Sequence, residues 1–100
     1  MSMTEAYFEQ DHDRFLITCK GHATGSEAVC AGVSAIIYAL AGWVNNYAPE
    51  GVKIELESGD ALVTFKGGEA AQAAFDMALI GMKQIQLAEP ERISVVHAEV

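Results

Sequence analysis

The chain has 100 residues, the usual length of a single domain. Hydrophobic residues make up 51% of it and charged residues only 20%, which excludes a disordered tail and favours a folded globule. Fourteen acidic residues against six basic ones give a formal net charge of −8. Such a surface repels phosphate backbones, so we expect no nucleic-acid partner and expect basic proteins or peptides to be attracted.

Two stretches bear on localisation. Residues 1–5 have neither a basic start nor an apolar core, so they predict no secretory signal. The longest apolar stretch, Ala28–Val44, is interrupted by Ser34 and is shorter than the roughly 20 residues of a membrane span. We therefore expect a soluble cytoplasmic protein without a membrane partner. In that reducing compartment Cys19 and Cys30 are expected to be free thiols, and their spacing matches no zinc site.

The first half of the chain predicts a β-hairpin and then a long helix. Thr4–Lys20 forms the hairpin, with residues 10–13 as its turn. The Thr-x-x-Glu pattern of residues 24–27 indicates a capping box, with Ser26 as the alternative helix cap. The helix is expected to end near Asn46. Its predicted buried face consists of Val29, Val33, Ile36, Leu40 and Val44.

The second half repeats this order and adds a last strand. Residues 52–57 and 61–66 predict a second hairpin, Glu69 and Pro90 lie at the ends of a second helix, and Ile93–Val96 is a short strand. The order β-β-α-β-β-α-β predicts an α+β fold with two layers. We expect a mainly antiparallel or mixed sheet with both helices on one face. No linker or low-complexity segment divides the chain, so one domain is expected over residues 1–100.

Cys30 and His22 are the candidates for nucleophilic chemistry. A nucleophilic cysteine needs a base nearby and surroundings that favour the thiolate. Cys30 lies near the start of the first helix, where the dipole favours an anion, and His22 follows the preceding strand after Gly21. Cys19 faces the core by alternation. The alternative is that Cys30 is a small buried hydrophobe and His22 a solvated loop residue.

Other polar residues have a weaker pattern. Ser34 lies one helical turn after Cys30 on the same face, although a bond to its own helix backbone is the simpler interpretation. His12 is a turn residue, and His97 lies in an edge strand. Gly67 and Gly68 end a strand before a helix but lack the full glycine pattern of a phosphate-binding loop.

Two segments resemble a known signature. Gly21-His22-Ala23, followed by Val-Cys-Ala-Gly-Val-Ser-Ala at residues 29–35, resembles the pattern of the ribosomal-processing cysteine proteases, the Prp family. Residues 78–83 are similar to the family's Leu-Gly-Leu-Lys segment, and Pro90–Val96 is similar to its proline-then-strand ending. The likeness spans almost the whole chain, and the histidine and cysteine segments are its most specific parts.

The resemblance implies a cytoplasmic bacterial cysteine endopeptidase that forms a homodimer. Such enzymes remove a short N-terminal extension from a ribosomal protein, here expected to be a basic segment. By the same resemblance, His22 is the general base and Cys30 the nucleophile that forms a thioester with the peptide. Gly21, Ser34 and Glu27, which stands where the family commonly has Asp, are the supporting or substrate-binding residues. No metal or other cofactor is implied.

The segment between the two candidate catalytic residues departs from the family. Seven residues, 23–29, separate His22 from Cys30, four fewer than is typical. The missing residues belong to a loop that contacts substrate, which indicates a divergent member with a ribosomal or phage substrate. A second hypothesis stays open, namely a non-catalytic peptide- or protein-binding module on the same fold that uses the groove beside His22.

Overall fold

A computed structural model describes residues 3–21, 26–47 and 50–100 of the chain. Over those residues the elements follow the predicted order, which confirms the α+β class. In chain order the elements are β1 (Thr4–Asp11), β2 (Arg14–Lys20), α1 (Glu27–Tyr47), β3 (Glu50–Glu57), β4 (Asp60–Lys66), α2 (Glu69–Ala88) and β5 (Ile93–Glu99).

The five strands form one mixed sheet in the order β3-β4-β2-β1-β5. Strands β1 and β5 are parallel, and the other neighbouring pairs are antiparallel. Strand β5 continues past the predicted end at Val96 to Glu99, because it pairs with β1 as far as Gln10. The connection from β4 through α2 to β5 crosses the sheet, so the first and last strands become neighbours.

Both helices cover the same face of the sheet. Along β1, β2 and β4 alternate side chains are buried beneath them, as the period of a strand requires. Phe75 of α2 lies at the centre of this core, with its ring centroid 5.0 Å from that of Phe15 and 5.5 Å from that of Phe8. The largest fully buried side chains are Phe8, Phe65, Phe75, Ile17, Met82, Ile93, Val44 and Val63.

The start of α1 differs from the capping-box prediction. The Val29 backbone N–H donates to Ser26 Oγ at 3.2 Å, so Ser26 is the helix cap. Glu27 is then the first helical residue and cannot be the third-position partner of a capping box, so that interpretation is wrong. Thr24, the other predicted cap, lies outside the described residues.

The buried face of α1 is centred on Ile37, whereas Ile36 is only half-buried. Both isoleucines lie three or four residues from Val33 and Leu40, but the burial of Ala41, four residues after Ile37, places the buried face on the side of Ile37. With its 21 residues, α1 is long and apolar enough to cross a membrane, so the prediction that this stretch is too short is wrong. Six of its residues are buried within the protein, as in a core helix.

Replacement of Phe75 tests the central position of this side chain. Phe75→Ala should lower the free energy of unfolding by about 3–5 kcal/mol, because it leaves a cavity among the rings of Phe8, Phe15 and His97. Urea denaturation followed by circular dichroism measures the loss. Met77→Ala on the same helix is the control, since Met77 is 76% exposed and its removal should cost no more than about 0.5 kcal/mol. Equal effects of the two changes would contradict this packing.

Candidate active site

An open crevice lies at the end of the sheet where β2 stops and α1 starts. Its walls come from the first residue of β1, the end of β2, the first three turns of α1 and the β3–β4 hairpin. Pairing of β2 with β4 brings the β3–β4 turn beside the end of β2. The lining residues are Thr4, Cys19, Gly21, Cys30, Val33, Ser34, Ile37, Tyr38, Leu56, Glu57, Gly59, Asp60 and Ala61.

Cys30 faces this crevice from the fourth position of α1. Its side chain is half-buried and packs against the core cluster. Its backbone N–H donates to the Ser26 carbonyl oxygen at 3.3 Å, the first hydrogen bond of the helix. The N–H groups of Glu27 and Ala28 therefore have no partner within the helix by position. A thiolate at Cys30 lies close to this positive end of the helix dipole, which stabilises an anion.

Gly21 is held between two neighbouring segments, the β3–β4 turn and the start of β1. Its N–H donates to the Gly59 carbonyl oxygen at 2.9 Å, and its own carbonyl accepts a bond from Thr4 Oγ1 at 3.4 Å. Its φ angle is +84°, and a Cβ at this position would lie 2.7 Å from the Met3 carbonyl oxygen. Only glycine fits both requirements. The contact fixes the end of β2 immediately before His22.

The structure places three of the five predicted site residues in the crevice. Cys30, Ser34 and Gly21 line the same crevice, as their predicted association requires. Glu27 is exposed at the first position of α1 and is not among the lining residues. His22 lies outside the described residues, so its pairing with Cys30 stays a prediction.

Sequence reasoning missed several residues of the crevice. Tyr38, which is 63% exposed, follows Ser34 and Cys30 at intervals of four along α1, so helical periodicity could have identified it. Leu56 and Asp60 reach the crevice because β4 pairs with β2. Local sequence carries no signal for that pairing.

The rim of the crevice at the β3–β4 turn is acidic. Glu57 and Asp60 both line it and are exposed. Lys20 stands opposite Asp60 in the ladder, yet no ion pair among the described residues involves Glu57 or Asp60. This rim favours a positively charged ligand. In the same described part of the chain, no group of three or more His, Cys, Asp or Glu side chains could hold a metal ion.

Cys19 is the second thiol of the crevice and differs from Cys30 in its surroundings. It is buried, with 7% of its surface exposed. Burial raises the pKa of the Cys19 thiol to about 11, and the negative charge of Cys30 contributes to the same shift. Cys19 is therefore protonated at neutral pH.

This architecture is found in several solved structures, two of which are of a protease. The essential ribosomal processing protease Prp from S. aureus, in complex with a covalently linked product peptide, has a TM-score of 0.81 and 19% identity, covering 95% of this chain and 99% of that one. The structure of the same protease with a substrate peptide has a TM-score of 0.77 and 18% identity, and it also covers 95% of this chain and 99% of that one. SMU.848 from Streptococcus mutans has a TM-score of 0.78 and 20% identity, covering 99% and 100%. At these identities the likeness establishes the fold.

The sequence itself establishes the family. Residues 3–94 match the family described as cysteine protease Prp. The chain belongs to this family, which confirms the resemblance found in its histidine and cysteine segments. None of the curated proteins compared with this sequence matches it. The family supports protease activity in ribosomal protein processing as the general class of function.

Alkylation rates test the difference between the two thiols. In native protein at neutral pH, iodoacetamide should react with Cys30 at least tenfold faster than with Cys19, because burial keeps Cys19 protonated and covered (about tenfold in rate per pH unit below a thiol pKa). Peptide mass spectrometry at timed intervals measures both rates. Denatured protein is the control, in which both cysteines should react alike. Equal rates in the native state would refute this assignment.

Replacement of Gly21 tests the contact at the end of β2. Gly21→Ala should destabilise the fold by about 1–3 kcal/mol, since it forces a side chain into a left-handed backbone conformation against the Met3 carbonyl. Gly42→Ala is the matched control. A Cβ at Gly42 meets nothing within 4 Å, and alanine should stabilise α1 by about 0.5–1 kcal/mol. Thermal unfolding measures both, and a neutral Gly21→Ala would contradict the account.

Proposed function

We propose that the protein is a cytoplasmic cysteine endopeptidase that removes a short N-terminal extension from a basic ribosomal protein or a related phage protein. The observation that carries the proposal is the position of Cys30. Its side chain opens into a crevice at the start of a helix, in a chain that belongs to the Prp family. Gly21 and Ser34, predicted to support the site, line the same crevice.

The proposed reaction uses His22 as the general base and Cys30 as the nucleophile. His22 accepts the thiol proton, and the Cys30 sulfur attacks the scissile carbonyl carbon. The proton passes to the leaving amine, and a thioester remains on Cys30. Water, activated by His22, then hydrolyses the thioester. The N–H groups of Glu27 and Ala28 are the donors proposed to stabilise the oxyanion, because the helix leaves them unpaired by position.

The proposed substrate is an extended basic peptide. The S. aureus Prp structures contain a substrate peptide and a covalently linked product peptide. In this chain the crevice offers two kinds of contact. Tyr38 and Leu56 present exposed apolar surface, and the carboxylates of Glu57 and Asp60 lie at the rim. An apolar side chain next to a lysine or arginine would satisfy both kinds of contact.

Cleavage of a peptide that spans such an extension tests the proposed activity. Cys30→Ala and His22→Ala should each reduce cleavage by about 10³-fold or more, because each removes a member of the reacting pair. His12→Ala is the control for the histidine change. It removes an exposed imidazole at the opposite end of the β1–β2 hairpin and should leave cleavage unchanged.

Mass spectrometry of the peptide products reads out the reaction. Peptide binding by the unaltered protein without any cleavage would refute the proposal. That result would instead favour the binding module with an inert thiol.

We also propose that the protein is a homodimer. An uncharged groove between the two helices supports this, because two copies with a net charge of −8 can approach most easily through a surface without charge. The groove is lined by Ile36, Ala39, Leu40, Trp43, Ala70, Ala73, Ala74, Met77, Ala78 and Gly81.

Light scattering tests the dimer. The unaltered protein should have twice the chain mass at micromolar concentration. Met77→Glu should shift it to a monomer with unchanged circular dichroism. The dimer would bury the new carboxylate in a contact that has no positive charge to pair with it. Leu87→Glu, which replaces an equally exposed apolar side chain of α2 outside the groove by the same carboxylate, is the control. A monomer mass for the unaltered protein across this range would contradict the proposal.

A further inference from the structure

Two thiols line the crevice, and the proposed peptidase reaction uses only one of them. Cys19 lies on β2 and points to the sheet face that the helices cover, where it is 7% exposed. Cys30 lies on α1, is half-buried and packs against the same core cluster. Neither of them forms a disulfide in the structure. A strand and the first turn of the helix above it therefore each contribute one cysteine to the lining of the crevice.

The sheet around Cys19 is built from small side chains. Its partner on β1 is Ala6, and its partner on β4 is Ala61, which also lines the crevice. Cys19 is thus the largest side chain of this row across three strands. The row continues to Leu56 on β3, and Cys19, Ala61 and Leu56 all line the crevice that Cys30 also lines.

The electrostatics of the pair agree with this placement. The charge of a Cys30 thiolate raises the pKa of Cys19, in addition to the larger effect of burial. This interaction is expected for two cysteines that line the same crevice. The pair is also asymmetric, because Cys19 remains a thiol at neutral pH while Cys30 lies at the positive end of a helix.

We propose that Cys19 and Cys30 form a reversible intramolecular disulfide when a peroxide reaches the crevice. The Cys30 thiolate attacks one oxygen of hydrogen peroxide, the O–O bond breaks, and Cys30 becomes a sulfenic acid. The leaving hydroxide takes up the proton that the Cys30 thiol had lost and becomes the first water. The Cys19 sulfur then attacks the Cys30 sulfur, gives up its proton and displaces hydroxide as a second water. Two thiols are oxidised by two electrons, and one peroxide is reduced to two waters.

The disulfide would protect the reactive cysteine. A sulfenic acid without a nearby thiol reacts with a second peroxide and becomes a sulfinic acid, which reducing agents such as dithiothreitol do not reverse. A buried thiol beside Cys30 intercepts the sulfenic acid first. Disulfides in reducing compartments are characteristically transient ones of this kind. This chemistry needs the two thiols only, and it does not depend on Cys30 cleaving peptides.

The test follows the fate of both cysteines in the full-length reduced protein. The protein is treated with a small excess of hydrogen peroxide, quenched with catalase, denatured, alkylated with iodoacetamide and digested. Mass spectrometry should find the Cys19 and Cys30 peptides joined, with the loss of two hydrogens. Dithiothreitol should restore two alkylatable thiols.

Cys19→Ala and Cys19→Ser provide the comparison. In both variants, whose folding is checked by thermal unfolding, Cys30 should gain two oxygens that dithiothreitol does not remove, several-fold more than in the unaltered protein. Equal sulfinic acid at Cys30 in all three proteins, or only disulfides between chains on a non-reducing gel, would overturn the inference. Loss of peptide cleavage alone would bear on the proposed peptidase and leave the disulfide standing.

Discussion

The hydrogen bond from the Gly21 N–H to the Gly59 carbonyl oxygen, 2.9 Å long, is the contact on which the rest of the site depends. It ties the end of β2 to the β3–β4 turn, and the Met3 carbonyl closes the space where a side chain would otherwise stand. It extends the ladder between β2 and β4, which brings the acidic rim beside the end of β2. The crevice is therefore a product of strand pairing as much as of the helix that carries Cys30.

The two cysteines show how one core can give the same side chain two different chemistries. Cys19, on a strand between two alanine neighbours, is buried, and its pKa is raised to about 11. Cys30 lies four residues after the Ser26 cap, half-exposed and near unpaired helix N–H groups. The same fold thus provides a half-exposed thiol for nucleophilic attack and a buried one in the same crevice. The proposed disulfide uses this difference directly.

Sequence patterns were sufficient for the element order and for most of the core, because periods of two and of three to four residues are local properties. They failed where the outcome depends on a single hydrogen bond or on distant pairing. Because Ser26 is the helix cap, Glu27 is the first residue of α1 and not the partner in a capping box. The buried face includes Ile37, where the sequence pattern predicted Ile36. The acidic rim arose from the register of β4 against β2, which no local pattern encodes. The pairing of His22 with Cys30 stays a prediction.

The most direct test of the account is the capture of its covalent intermediate. The protein is mixed with a peptide that spans the proposed cleavage site, and the reaction is quenched with acid within the first turnovers. Mass spectrometry then measures the mass of the intact protein. The account predicts an added mass equal to the N-terminal product less one water, located on Cys30 and removed by hydroxylamine, with Cys19 unmodified. Cleavage of the peptide with no acyl group on Cys30, or with the group on another residue, would contradict it.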